Sequence, residues 1–415
     1  MLKETKVARM LDTGPRQPVT RMNAAALVEV VQREGALSRT DIARALRLSA
    51  ATVSRLAMQL LAAGILREVE RGASSGGRRP VLLAHNPGAA LLIGIDVGGT
   101  KIAGALGDLD GSLLARRTVP TWPDDGTPGG LDALDLVIDA LLAEGAALGV
   151  PVRGIGIGIP GVTHHDTGVV AWAPGLGWRD LPLAARIRAR VGIPTYLEND
   201  VNLAVLGEHW HGAGRDIAHA VGVFIGTGIG AGVIIDGRIL HGANDAAGEI
   251  GYLLLGRDEL RHTYPGFGAF EGACAGPGIA RRAAESLAAA PSNGGRLTTP
   301  RPSAREVVAA ALQGDALAAR VIDETLDTLA LALGALACIL NPRRIIIGGA
   351  VGLGLAPWHT ALRERLVERV PHVPELVPAS LGVDAGMMGA LALAQDRAGA
   401  RAAAAEAVRA AGASP

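Results

Sequence analysis

Leu91-Leu-Ile-Gly-Ile-Asp96, followed by Val97-Gly98-Gly99-Thr100-Lys101, is the stretch on which the fold turns. The apolar run reads as a buried strand that ends in a carboxylate. Glycines at that turn let backbone N–H groups approach phosphate oxygens. The Thr100 hydroxyl adds a polar group, and Asp96 is placed to hold Mg²⁺ through water. Ile102 to Leu106 alternates like the return strand of a hairpin. A Walker A loop would instead have Gly-Lys-Ser/Thr opening a helix, so that motif is excluded. A similar unit recurs about 130 residues on, where Val221 to Ile225 leads into Gly226-Thr227-Gly228-Ile229-Gly230-Ala231-Gly232, strand Val233 to Ile235 and turn Asp236-Gly237. A third glycine turn, Gly348-Gly349, ends the apolar run Ile345 to Ile347, where an adenosine would lie. One such turn is weak evidence, but three in this order predict two related lobes gripping one nucleotide.

Together with Leu197-Glu-Asn-Asp-Val-Asn202 and Gly248-Glu-Ile-Gly251, these motifs resemble the ROK family of repressors, open reading frames and sugar kinases, over residues 20–395. The resemblance implies an α/β, actin-like (ribonuclease H-like) two-lobed sugar kinase fold over 91–395, with lobes of about 91–200 and 201–395. It implies nucleotide contacts from Asp96, Gly98, Gly99, Thr100, Lys101, Thr227, Gly228, Gly230, Gly348 and Gly349. It implies sugar contacts from Gly161, Asn199, Asp200, Glu249, Tyr252 and Glu271, with Asp200 as the base that takes the attacking hydroxyl's proton. Mg-ATP is the cofactor implied for any catalysis. Relatives follow Gly-Glu-Ile-Gly with a His and then Cys-x-Cys-Gly-x-x-Gly-Cys, a structural zinc site. Here the His position is Tyr252, and the cysteine positions fall near His262, Tyr264 and Ala269. One remaining ligand cannot hold zinc, so no structural zinc is expected. The segment from Gly256 to Gly268 must then be ordered by other contacts or by ligand.

Upstream, the pattern is different. Leu27, Val30 and Val31 make an apolar stripe on a helix from Met22 to Glu34 that Gly35 stops. Ser38-Arg39-Thr40-Asp41 reads as a capping box for a second helix, and Ser49 caps a third that carries Val53, Leu56, Leu60 and Leu61 inward. The short turn between these two predicts a helix-turn-helix. Small or hydrogen-bonding residues on the third helix suit a recognition helix in a major groove, with Ser49, Thr52, Ser54 and Arg55 as DNA contacts. Ile65 to Val69 and Val81 to Leu83 read as strands flanking a Gly/Ser wing that carries Arg78 and Arg79, suited to phosphates or a minor groove. Residues 20–88 are therefore read as a winged helix-turn-helix DNA-binding domain. It resembles the head of the family's repressor branch, which includes regulators of xylose and N-acetylglucosamine metabolism.

Charge agrees with that division. Of 40 basic and 40 acidic residues, positions 1–90 hold 14 and 7, which leaves 26 and 33 for the rest. A small basic unit on a larger acidic one suits a nucleic-acid binder with a non-nucleic-acid partner domain. Two cysteines give no disulfide framework, and no apolar run reaches the ~20 residues of a membrane span. With no apolar leader at Met1 to Thr20, a cytoplasmic protein without a membrane partner is expected. Residues 396–415, rich in Ala and Arg, read as a flexible tail. The function expected is a sugar-responsive transcription regulator, a repressor of carbohydrate metabolism genes, whose sugar-bound form closes its lobes, moves the Pro80–Ala90 connection and respaces two heads of a homodimer or homotetramer on operator DNA. It needs no cofactor to bind DNA. The rival readings are an ATP-dependent sugar kinase that also binds DNA, and a dimerisation scaffold without a small ligand.

Overall fold

The computed structural model describes residues 16–69, 80–122, 129–264, 267–289, 296–297 and 299–413. Helix α1 (Arg16–Glu34) begins before the expected Met22 and buries Ala24, Leu27, Val28 and Val31. After the short strand β1 (Leu37–Ser38), Ser38 caps α2 (Arg39–Leu46), with the Asp41 amide donating to its Oγ at 3.2 Å. Arg47, left-handed at φ 53°, turns the chain. Ser49 then caps α3 (Ala50–Ala62) by accepting from the Thr52 amide at 3.2 Å. Strands β2 (Leu66–Val69) and β3 (Leu82–His85) complete an antiparallel sheet of order β1-β3-β2. Residues 70–79, with the wing arginines Arg78 and Arg79, lie outside the described residues.

The rest is α/β. Strands β4 (Leu91–Val97), β5 (Lys101–Asp108) and β6 (Leu113–Pro120) precede α4 (Leu131–Ala147) and β7 (Val152–Ile159). A small sheet of β8 (Val162–His164), β9 (Val169–Ala173) and β10 (Trp178–Leu181), helix α5 (Leu183–Val191) and β11 (Thr195–Asn199) follow. The main sheet runs β11-β7-β4-β5-β6, with β4 antiparallel to β5 and parallel to β7. Helix α6 (Asp200–His211) leads to β12 (Ala220–Ile225), β13 (Ile229–Ile235) and β14 (Arg238–Ile239). Four helices, α7 (Ala269–Cys274), α8 (Gly276–Ala289), α9 (Ala304–Leu312) and α10 (Ala316–Leu340), separate these from β15 (Arg344–Gly348). Then come α11 (Gly349–Gly354), α12 (His359–Glu364) and β16 (Glu375–Pro378). The second sheet, β14-β13-β12-β15-β16, repeats the topology of the first: an antiparallel hairpin, a parallel neighbour and an outer strand on each side. No helix among the described residues is long and apolar enough to cross a membrane.

Two expectations need correction at the C-terminal end. Helix α13 (Ala385–Ala398) does not stay with the second lobe but lies on β4 and β7 of the first sheet and against α6. It comes that close because glycines face it: a Cβ on Gly156 would stand 2.0 Å from the Ala390 carbonyl oxygen, and one on Gly389 1.7 Å from that of Leu203. The residues read as a flexible tail form α14 (Ala400–Ala413), packed on α1 and α3 with Ala400, Ala403, Ala404 and Val408 buried. Alanine is both the best helix former and small enough for close helix contact, so a composition that looks featureless makes a docking helix. Arg401 also reaches Glu29 at 3.6 Å.

One continuous apolar core therefore runs from Leu27 and Leu56 through Ala404 to Met387, Leu391 and Leu92. The Pro80–Ala90 connection is part of this joint. His85 is buried with Nδ1 3.1 Å from Asp110, Asn86 donates to the Gly64 carbonyl at 2.8 Å, and the Leu109 amide donates to the Pro87 carbonyl at 3.1 Å.

Candidate functional site

Each five-stranded sheet carries one glycine hairpin. In the first, the Gly98 amide donates to the Lys101 carbonyl at 2.9 Å. Buried Thr121 braces the turn, its hydroxyl donating to the Gly98 carbonyl at 2.6 Å and its amide to the Thr100 carbonyl at 3.0 Å. Sequence reasoning missed Thr121, since nothing local marks it. In the second hairpin the Gly226 amide donates to the Gly228 carbonyl at 2.9 Å, next to Thr227. No atom lies within 4 Å of where a Cβ would project from Gly99 or Gly226, so both turns are open to a ligand. Gly230 is the exception among the expected loop residues. It lies inside β13, where a Cβ would stand 2.9 Å from Val201, so its small size serves α6 packing rather than the turn. Gly348 and Gly349 end β15 beside Phe224 and Ile225, and Gly349, at φ +77°, would set a Cβ 2.3 Å from the Ile225 carbonyl oxygen.

Acidic groups link the hairpins. Asp96, at the end of β4, has its carboxyl raised to about 6, by burial first and by the Asp200 charge second, with Lys101 opposing. Burial raises the Asp200 carboxyl as well, against the backbone amides that favour its charged form. Glu249 is raised by desolvation, then by Asp200 and Glu271. Glu271, on α7, accepts from the Ile229 amide at 2.8 Å and so ties its helix to the second glycine turn. Asn199 caps α6 through Oδ1, which accepts from Val201 at 2.9 Å and Asn202 at 3.1 Å. Its Nδ2 donates to the Gly161 carbonyl at 3.0 Å, which leaves one N–H for a ligand. Gly161, at φ +100°, lies so near the Trp172 carbonyl that a Cβ would come within 2.3 Å of it. Two of the expected sugar residues, Asn199 and Gly161, are thus hydrogen-bonded to each other, and a third, Asp200, accepts from the same Val201 amide as Asn199, at 2.9 Å. Tyr252 follows Glu249 on a short 3-10 turn with its side chain half exposed.

On the N-terminal unit, α3 exposes Ala50, Ala51 and Arg55, with Thr52 and Ser54 half-buried. The Ser49 hydroxyl is engaged by the Thr52 amide and, at 2.9 Å, by the Thr52 hydroxyl. Arg39 and Arg44 are paired with Glu68 at 3.2 Å and Asp41 at 3.1 Å. Arg47 and Arg55 have no ion-pair partner among the described residues. Arg47 was not singled out in the sequence, although its place in the turn before α3 was visible there.

Comparison with known proteins fits this geometry. The ROK family model matches residues 92–397. The chain belongs to the ROK family. A putative xylose repressor of Caldicellulosiruptor sp. is 30% identical over 342 residues, covering 81% of this chain and 84% of the relative. A glucokinase of Halalkalibacterium halodurans is 35% identical over 314 residues, covering 72% and 92%. Among solved structures, a ROK glucokinase from Streptomyces griseus with glucose and AMPPNP is 32% identical with a TM-score of 0.61, covering 74% of this chain and all of that one (100%). The fold also matches that of a ROK family transcriptional regulator, a homologue of E. coli MLC, with a TM-score of 0.82 over 94% of this chain and 99% of that one, at 23% identity.

As a ROK protein the chain departs from its family around Tyr252. The residues at the positions where the resemblance implies zinc ligands do not fit that ion: Tyr252, Tyr264 and Ala269 carry neither imidazole nor thiolate, which leaves His262 alone. Other contacts hold the segment. The Glu259 carboxylate accepts from the Leu255 and Gly256 amides, the latter at 2.9 Å. Leu253 and Leu255 pack on the second-lobe core, and a Cβ on Gly268 would stand 2.0 Å from the Gly251 carbonyl oxygen.

Proposed function

We propose that this ROK protein is a sugar-responsive DNA-binding transcription regulator, a repressor of carbohydrate genes released when sugar binds. The observation that carries this is the unbroken core between head and cleft. Helix α13 starts beside the cleft, with Gly386 packed against the Asp96 carboxylate, and runs on into α14, which packs on α1 and α3. The N-terminal unit is read as a winged helix-turn-helix, with α3 in the major groove, Arg47 and Arg55 at its leading end, and Arg78 and Arg79 reaching phosphates. Sugar is held by Asn199, Asp200, Glu249 and Glu271 against Gly161. If it favours one lobe arrangement, it shifts the population by its differential affinity. That shift reaches the head through α13 and α14 rather than through the docked Pro80–Ala90 connection, and respaces two heads on half-sites about one DNA turn apart. The names of the relatives make xylose and glucose the first sugars to test. Fluorescence anisotropy with the chain's own promoter fragment, across a panel of monosaccharides, is the experiment. Saturable binding released by one sugar supports the reading, and binding indifferent to every sugar overturns it.

The second reading, an ATP-dependent sugar kinase, is favoured by Asp200. A buried carboxyl of raised affinity for protons, beside two open glycine turns, is what a base for a sugar hydroxyl requires. Asp96, Thr100, Lys101, Thr227 and Gly228 form a donor set that fits Mg-ATP, which would supply the phosphoryl group. Asn199 and Asp200 would hold the acceptor hydroxyl, and Asp200 would take its proton. Tyr252 in place of the family's His weakens that positioning, and phosphoryl transfer loses ~100-fold to small misplacement. Sensing tolerates looser geometry. A coupled ADP-release assay with the inducing sugar decides it, since turnover of ~10 s⁻¹ would mean a working kinase.

A further inference from the structure

We propose that His165, Asp166 and Asp245 bind a divalent transition-metal ion, of the Zn²⁺ class, that ties the two lobes together at the rim of the cleft. The three come from two lobes. His165 and Asp166 follow β8, just beyond Gly161, whereas Asp245 lies in the second-lobe stretch that leads to Glu249. One ligand atom from each lies within 4.8 Å of the others, and no other such group of His, Cys, Asp or Glu occurs among the described residues.

The surroundings are those of a metal site. Asp245 accepts from His165 Nδ1 and, through its second oxygen, lies 3.0 Å from His164 Nδ1. The His165 ring stacks on His241, with centroids 3.6 Å apart and planes at 3°. His241 Nε2 is in turn 2.6 Å from the carboxylate of Glu198, which is buried. Imidazole and carboxylate orientation are thus both fixed by outer partners, the arrangement that tunes metal ligands. An imidazole with two carboxylates suits Zn²⁺, Co²⁺ or Ni²⁺, not Mg²⁺ or Ca²⁺, which prefer all-oxygen shells. Metal bonds of ~2.0–2.2 Å require the ligand atoms to draw slightly closer, which rotation of the exposed Asp166 allows. The site is separate from the family's zinc segment after Tyr252, and it does not depend on the sugar reading.

The test uses the full chain, purified without a metal-affinity tag and stripped with EDTA. Titration with Co²⁺, followed by its visible absorption, and displacement by Zn²⁺ should give one metal per chain. His165→Gln and Asp245→Asn should each weaken binding at least ~10-fold. Cys338→Ser, which removes the exposed thiol, should not. Asp166→Asn, at an exposed position that leaves the fold undisturbed, should abolish the Zn²⁺-induced rise in Tm. No saturable binding at micromolar metal, or binding unaltered in His165→Gln, Asp245→Asn and Asp166→Asn, would overturn the proposal.

Discussion

Burial beside Asp200 holds the Asp96 carboxyl at about 6, above its ordinary value of 3.8. Between roughly pH 4 and pH 6 the folded chain keeps a proton that the unfolded chain has lost, so stability falls as pH rises through that window. The full penalty is present above it. Asp96→Asn should therefore stabilise the protein by about 1–3 kcal/mol at pH 8, and the gain should vanish near pH 4. Urea unfolding at both pH values checks this, and no gain at pH 8 would refute a strained buried charge. Asp200→Asn should impair sugar-induced operator release far more than phosphorylation, read by anisotropy and ADP release on one preparation. A large loss of turnover with release intact would reverse the ranking of the two readings. On the head, Arg55→Ala should weaken operator binding by roughly 1–3 kcal/mol if it reads a base. Unchanged affinity with an intact circular dichroism spectrum would remove Arg55 from the interface.

Helix α13 is held by near contact with backbone rather than by large side chains. A Cβ on Gly389 would meet the Leu203 carbonyl oxygen at 1.7 Å, a distance that only backbone displacement can relieve. Gly389→Ala should cost about 1–3 kcal/mol or more, measured by denaturant midpoint. Gly175→Ala, with nothing within 4 Å of the added atom, should be close to neutral. Equal effects would mean that α13 is not seated as described. The hairpins of this site were legible because an apolar run, a glycine turn and an alternating return strand are all local signals. Gly230 was not, because a glycine in a strand signals close approach without saying whether phosphate or, as here, Val201 approaches.

Head and cleft should unfold together, since Leu27, Ala404 and Leu391 belong to one core. A single calorimetric transition is expected for the native chain. Ala404→Asp would bury an unpaired charge between α14 and α1, which is strongly destabilising at that contact. Two transitions should result, with operator binding no longer released by sugar. A variant that still melts in one step and still responds would show that α14 is not the link.

Sequence alone determined the two glycine hairpins and the capped helices of the head, because turns and caps are written in adjacent residues. Tertiary structure alone decided the rest. Thr121 behind the first turn, α13 on the opposite lobe, α14 on the head and Asp245 beside His165 are pairings across 23 (Gly98 to Thr121) to 372 (Glu29 to Arg401) positions of chain. Alanine and glycine state how near a neighbour can come, but only the folded chain decides which neighbour it is.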